Sequence, residues 1–539
     1  MISVSNAWKA AQKQTLLPEM FVEIVYKITE PELQERAAIA ANYPEGFSNV
    51  EQLLDLTSKT GETYTALDYG CLGLDGNFSY FDGSPVDPGY VDKNYSTSDG
   101  TMGVTPYPTI TISFDERQKV AIPGLIITWD ETFGGWATDF RVIVSNDSGI
   151  QAETTVMGNT DIKATVLLDM VNYSKITIEI LKWSHPFQRV RCMGILLGIE
   201  KTYTKADLLS YEHNQSVDLL SATLPQSSIT FNLRNDDGRW NPDNPEGFEK
   251  YLMEQQEVSV RYGMDIDGVT EWIDGGVFWL NEWSTPSNGL EVVFTARDAF
   301  EFMLDKYTGT LTGSLYDIAV TALEQALLPR LKDGSNRYFV HESLKNITVN
   351  IAVEDSDYII SEILQMVAHT SCCVLYQDRK GVVRIEPWKQ AYSDYKIEPR
   401  VSYSHPEYSV NKPVKAIAVS YGSEEENILT IGVANSGETQ TVSSPFIQTE
   451  ADAIRVGEAA KNLLENRKVI SGEFRADLRM DVLDIVLVAS KYSSNAIGVT
   501  NVMYSTTGGA FKANYTGRVI SVDLEPAKYY AGELISGEV

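Results

Sequence analysis

The stretch FNLRNDDGRWNPDNPEGFEKYL, Phe231 to Leu252, sets Asn235, Asp236, Asp237, Asp243 and Glu246 close together beside Gly238 and Gly247. Three chemistries use such a segment: a calcium loop, a carboxylate pair for acid/base work, or a polar turn between strands. A calcium loop of the helix–loop–helix type needs oxygen ligands at alternate positions, Gly at the sixth and Glu at the twelfth. Counted from Asn235, Gly238 is fourth, Trp240 is sixth, and Pro242 and Pro245 interrupt the run. The pattern fails. A polar turn is the better reading, because Asp, Asn, Gly and Pro each favour turns for a separate physical reason.

Other chemistry is equally sparse. Carboxylate pairs are uninformative in a chain with 74 acidic residues. His185, His213, His341, His369 and His405 are isolated, with no HExxH pair to hold zinc. Neither a GxSxG nucleophile elbow nor a GxxxxGK[ST] phosphate loop is present. The absence of CxxC argues against a zinc ribbon. Cys372 and Cys373 are adjacent and are predicted in one strand, pointing to opposite faces; Cys71 and Cys192 are far apart in sequence and could meet in space. The reading is no enzyme, with no catalytic residue, metal site or cofactor. What remains is a set of aromatics in predicted loops: Tyr80, Phe81, Tyr90, Tyr95, Phe133 and Trp136. Rings with an apolar body and a polar rim serve recognition surfaces, and Tyr80, Tyr90, Tyr95, Phe133 and Trp136 are the candidate contacts for a glycan. The alternative is that they pack beneath long loops.

The elements that would position these residues are mainly strands. The 539 residues correspond to roughly three to four domains by length. Aromatics reach 10%, which leans toward pleated, half-buried surfaces. A formal charge of −30 does not neutralise phosphates, so nucleic-acid affinity is excluded as the main role. No apolar run is long enough to span a bilayer, and MISVSNAWKAAQKQTLLPEM lacks a signal-peptide shape. Synthesis in the cytoplasm is the expectation.

A short helix is predicted over 5–14 and a strand over 19–28. Turn formers crowd 45–105. From 109 to 198 TITISF, GLIITW, DFRVIVS, ATVLLD and KITIEILKW recur between turn clusters, as in a β-sandwich. SITFNL, EVSVRYG, GGVFWLNEW and LEVVFTARD follow, with hairpin signals at MDIDGVT and PSNGL. Amphipathic helices are predicted over 314–328 from Ser314, over 356–370 from Ser356, and over 450–468. A hairpin turning at 378–381 and a strand-rich C-terminus complete the pattern.

The run from Ser228 to Leu304 resembles the first barrel of phage tail hub proteins, found in contractile baseplates and in siphophage tail tips. It carries Asp237-Gly238, Asn241-Pro242, Tyr262-Gly263, Gly276-Val277-Phe278, Trp283 and Ala296 to Asp298 in that family's order. The helices and the YQDRKGVVRIEP hairpin look like its middle region, and FRADLRMDVLDIVLVAS with YTGRVISVDLEP is similar to its closing domain. The resemblance covers about 200–539 and the strand near 20–28. The segment from about 60 to 190 resembles an inserted discoidin-like, galactose-binding-type β-sandwich.

The implied fold is multidomain and mainly β with α+β parts: tudor-like barrels plus an inserted discoidin-like jelly roll. The implied divisions are 1–59 (helix and first barrel strand), 60–190 (insert), 191–300 (rest of the first barrel), 301–400 (mixed middle region) and 401–539 (C-terminal β-rich domain with one helix). The resemblance implies a homotrimeric ring at the distal tail of a virion. Its partners would be the tail tube or a distal tail protein, the tape measure protein and a host-surface glycan, with DNA only in transit. A glycan-binding adhesion protein and a tail-associated cell-wall hydrolase are the competing readings.

Overall fold

The computed structural model describes the chain except residues 15, 47, 56–88, 132, 287–288, 332–333, 352–357, 391, 423–426, 491–492, 508–509 and 521–539. Its dominant feature is one long sheet of 15 strands. Met20–Thr29 sits deep in it, with Met20, Val22, Ile24, Tyr26 and Ile28 buried on one face, as strict alternation dictates. It pairs antiparallel with Glu257–Ile266 on one side and Gly194–Tyr203 on the other. Beyond Glu257–Ile266 follow Val269–Ser284, Glu291–Arg297, Gln226–Arg234 and Leu208–Ser216. The hairpin between Glu257–Ile266 and Val269–Ser284 turns on Asp267 and Gly268, both at positive φ, which two-residue hairpins of this hand require.

This first half curls on itself. Tyr211 and Tyr262 lie on strands four places apart in the sheet order, yet their hydroxyls are 2.8 Å apart. The sheet then continues without a break. Leu208–Ser216 pairs antiparallel with Ser494–Thr506 through Tyr211–Thr506 and Ser216–Asn501. Phe511–Val519, Lys468–Arg475 and Glu407–Val410 extend the second half, and Ile485–Ala489 and Tyr392–Ile397 branch from it. Tyr395 reaches Phe474 across this half, at 6.4 Å between ring centroids. One apolar core runs through both halves. The Asn6–Gln12 helix, capped by Ser5, pushes Trp8 into that core, and Gln12 donates to the Ala476 carbonyl in the second half.

The other end of the long sheet leaves the first half. Gly194–Leu197 pairs with Ile122–Thr128, which pairs with Lys163–Met170. This arm faces an antiparallel sheet in the order Ala38–Ala41, Thr109–Gln118, Tyr173–Trp183, Ala137–Asn146, Gly149–Val156. Ile112, Phe140, Val142 and Ile178 from the latter pack on Leu125, Ile127, Val166 and Ile195, with Trp129 edge-on to Phe140 and Trp183. The sandwich thus draws strands from both sides of 60–190, beginning at Ala38.

The middle region packs the helices Leu315–Gln325 and Ile360–Ser371 on a small sheet containing the Val374–Gln377/Val383–Glu386 hairpin. Ser314 caps the first helix, as its spacing predicts. The second begins at Ile359, whose N–H donates to Glu362; Ser356 lies outside the described residues. Cys372 and Cys373 differ from their prediction. Cys372 terminates the helix in the left-handed region at φ 55°, so the pair sits at a helix end and the strand starts only at Val374. Both are free thiols, as is the buried Cys192; Cys71 lies outside the described residues. A last unit packs the Glu450–Leu464 helix, capped by Thr449, on the Val414–Tyr421 strand. No helix among the described residues is long and apolar enough to cross a membrane.

Candidate functional site

The acidic stretch from Phe231 to Leu252 is an ordered turn. Asn235 is buried, and its amide donates to Asn241 Oδ1 (2.8 Å) and the Gly289 carbonyl (2.9 Å) while accepting from Trp240 N–H (3.0 Å). Gly238 takes φ +65° and donates to the Asn235 carbonyl. Trp240 is thereby folded under the turn against Phe294, ring centroids 5.2 Å apart. Asp236, Asp237, Asp243 and Glu246 stay exposed, so the carboxylates ring the turn and do not converge. Among the described residues no three His, Cys, Asp or Glu side chains are grouped to hold a metal ion.

The most constrained polar cluster lies where the two halves of the long sheet meet. The turn of the Val374–Gln377/Val383–Glu386 hairpin inserts Arg379 into this seam. Its guanidinium donates to the carbonyls of Leu478 and Met480, each at 2.6 Å, and its Nε lies 3.1 Å from Asp481. It is also 5.8 Å from the Tyr262 ring centroid and 6.0 Å from that of Tyr504. Tyr504 donates to the same Met480 carbonyl (2.6 Å). Tyr262 shares hydrogen bonds with Tyr211 and with His213 Nδ1, both 2.8 Å. Residues of the first half, the middle hairpin and the second half thus share one network.

Burial, reinforced by the Arg379 charge, pushes the His213 imidazole down to about 3, so it is neutral. Burial pushes Tyr211, Tyr262 and Tyr504 upward, so they remain hydroxyls. None of these groups faces solvent. The cluster ties strands of the two halves and the middle hairpin together. A second buried group stands at the exit of the first half. Asp298 accepts from Ser227 N–H (2.6 Å) and Phe300 N–H (3.3 Å), and burial lifts its carboxyl to about 7.

The predicted aromatic contacts fall on the sandwich, with different fates. Tyr80 and Phe81 lie outside the described residues. Tyr90 is a correction: it is fully buried in the sandwich core, its hydroxyl donating to Asp92 and the Asn42 carbonyl, so its ring presents no face to a ligand. Tyr95 is half exposed, with the Arg189 guanidinium 5.4 Å from its ring centroid. Phe133 is partly buried beneath Arg191 at 4.7 Å. Trp136 is partly buried, donates to the Asn159 carbonyl (3.0 Å) and meets His185 edge-on.

These three share one end of the sandwich. The Arg189–Cys192 and Tyr90–Tyr95 strands pair there, and Ser96 donates to the His185 carbonyl. Gly194 and Thr128 mark this end; the opposite end of the same strand, Ile199–Tyr203, joins the first half. The aromatic loops therefore lie away from the long body. Two aromatics absent from the predicted set occur here, Tyr43 (φ 51°) and the half-exposed Phe187 (φ 58°). Bulky residues rarely hold the left-handed region. Nothing in residue type or spacing reveals this, because the strain is set by tertiary closure of the loops. Arg379 was hidden for a similar reason: QDRKG reads as a turn tip, and turn tips are normally solvated.

No family model matches the chain, and no curated protein matches it. Among solved structures it is similar to the 43 kDa tail protein of prophage MuSo2 from Shewanella oneidensis, at 11% identity and TM-score 0.41, covering 59% of this chain and 94% of that one. It is similar to the tail protein from Neisseria meningitidis MC58, at 11% identity and TM-score 0.42, covering 59% and 93%. It is also similar to the prophage tail protein gp18 from Listeria monocytogenes EGD-e, at 13% identity and TM-score 0.39, covering 60% and 91%.

Proposed function

We propose that this chain is the structural hub at the distal end of a phage tail, working as a homotrimeric ring and not as an enzyme. The observation that carries this reading is the Leu208–Ser216/Ser494–Thr506 pairing, which welds two curled halves into one sheet. The barrel motifs at Asp237-Gly238, Tyr262-Gly263 and Ala296 to Asp298 lie in the first half, and in this reading the second half is a tudor-like barrel as well. Three copies would then present six barrels, matching a six-fold tail tube with a closed three-fold ring. The tube or a distal tail protein would bind one face, and the tape measure protein would engage the ring. DNA would pass through a lumen kept non-adhesive by the acidic chain, since like charges repel.

In this reading the sandwich is an inserted discoidin-like module whose loop end points outward. Tyr95, Phe133 and Trp136 would offer ring faces to a host-surface glycan there, with Phe187 beside them. Thr29 and Gly198 are register partners, so excising 30–197 and rejoining the chain is the cleanest test of the division of labour. Tails that assemble but attach poorly to cells support a hub with an adhesion module. Loss of tails makes the sandwich structural, and tails with undiminished attachment remove the glycan role. A lysis band from the purified chain on a cell-wall gel would overturn the non-enzymatic reading.

A further inference from the structure

We propose that the outer edge of the second half, the Glu407–Val410 strand, is the surface through which one copy of this chain joins the next. The inference rests on the hub reading and adds the location of the joint. Among the described residues this strand pairs on one side only, with Lys468–Arg475, and all four of its side chains are exposed. Tyr408 and Val410 are two residues apart and share a face, with 45% and 58% of their surface open. Tyr408 lies opposite the fully buried Ile470, so this face continues the core of the second half to an uncovered rim. A flat apolar edge invites a further strand unless something blunts it. The far end of the long sheet is blunted: Lys163 and Asp169 hold ion pairs with Glu200 and Lys250. Glu407, the one charged side chain of the 407–410 strand, makes no ion pair among the described residues, so no salt link covers this edge.

Two observations choose a second copy as the occupant. Charge is the first. Within a chain of net charge −30, residues 402–421 contain one carboxylate, Glu407, against Lys412 and Lys415, and Arg467 and Lys468 lie alongside. Lys412, Lys415 and Lys468 are exposed and make no ion pair among the described residues. A locally basic edge on an acidic protein is complementary to the surface of its own copies. Position is the second. The internal joint of the two halves uses Leu208–Ser216 and Ser494–Thr506; Glu407–Val410 is the opposite edge of the second half. In a closed ring the edge facing away from the internal joint is the one that meets the neighbour, giving one heterologous contact repeated around the axis.

The test is the mass of the purified full chain by light scattering, with amide exchange at 407–410. Tyr408→Lys/Val410→Lys changes only exposed side chains, and Lys412→Glu/Lys468→Glu reverses the local charge; Tyr408→Phe is the conservative control. We expect wild type and Tyr408→Phe to form rings with the 407–410 amides protected. The two double variants should fall to single copies with unchanged circular dichroism. Rings that survive both double variants would overturn this joint and leave the hub reading standing. Protection of these amides only after tail tube protein is added would also overturn it, by making the tube the occupant. A wild-type chain that stays single at all concentrations would overturn both the joint and the ring.

Discussion

Arg379→Met removes the cation that links the middle hairpin to both halves of the sheet while keeping most of the apolar stem. Arg379 makes two 2.6 Å bonds to the carbonyls of Leu478 and Met480 and an ion pair with Asp481, and it is almost wholly buried. A hydrogen bond involving a charged group contributes about 1.5–3 kcal/mol, and such contributions are not additive when they share one side chain. The larger effect is on what remains: removing one member of a buried pair costs about 3–5 kcal/mol, because its partners stay buried without compensation. We expect a loss of about 3–5 kcal/mol in urea unfolding, read from the midpoint at unchanged slope. Amide exchange around 478–481 should speed up with it. Arg379→Lys should fall between, since an ammonium cannot span two carbonyls and a carboxylate with one rigid fork. A methionine variant within about 0.5 kcal/mol of wild type, with unchanged exchange, would refute the seam as a structural lock.

Four further outcomes rest on the same geometry. His213 is neutral in the fold down to about 3 but takes a proton near 6.5 when unfolded. Stability is therefore lost as pH falls through that window, by about 2 kcal/mol at pH 5, and His213→Asn should remove this part of the acid sensitivity in paired pH titrations. Asp298 has the opposite sign: its folded value of about 7 lies above the ordinary 3.8, so the stability it contributes is present below about 4 and is lost as pH rises toward 7. Asp298→Asn should flatten the decline between pH 4 and 7, and an unchanged slope would show that the carboxyl is ionised throughout. Asn235→Ala should cost about 2–3 kcal/mol by leaving buried partners unsatisfied, whereas Asp236→Ala and Asp243→Ala should stay within about 0.5 kcal/mol. Calcium or a chelator should leave the melting temperature of wild type unmoved; a rise with calcium would revive the metal-loop reading.

Local chemistry was legible in the sequence wherever the cause is local. Ser5, Ser314 and Thr449 cap helices because their side chains reach the first-turn N–H groups. Asp267-Gly268 turns a hairpin because both positions need positive φ, and the alternation of Met20–Thr29 fixes which face is buried. What was not legible depends on partners distant in the chain. Tyr211 pairs with Thr506 across the joint, and no residue type announces that register. Tyr90 has the composition of a recognition residue but is buried, because Asp92 and the Asn42 carbonyl satisfy its hydroxyl inside the sandwich. Cys372 reads as strand from its apolar neighbours, yet it closes a helix in the left-handed region. The Gly149–Val156 strand went unseen, since a half-exposed sheet edge with Gln151, Glu153 and Thr155 carries little apolar signal. The sandwich starts at Ala38 because its first edge strand pairs with Thr109–Gln118, a contact that no change of composition marks.

In the proposed assembly, two joined halves in each of three copies build one ring. Single-particle imaging of the purified full-length chain, with its mass measured on the same sample, tests this most directly. The expected image is three copies in a three-fold ring, six barrel-like lobes around a central opening, and three sandwiches projecting from the rim with their loop ends outward. Single chains with the two halves moving independently of each other would contradict it, since the shared sheet and the Arg379 network require them to move as one body.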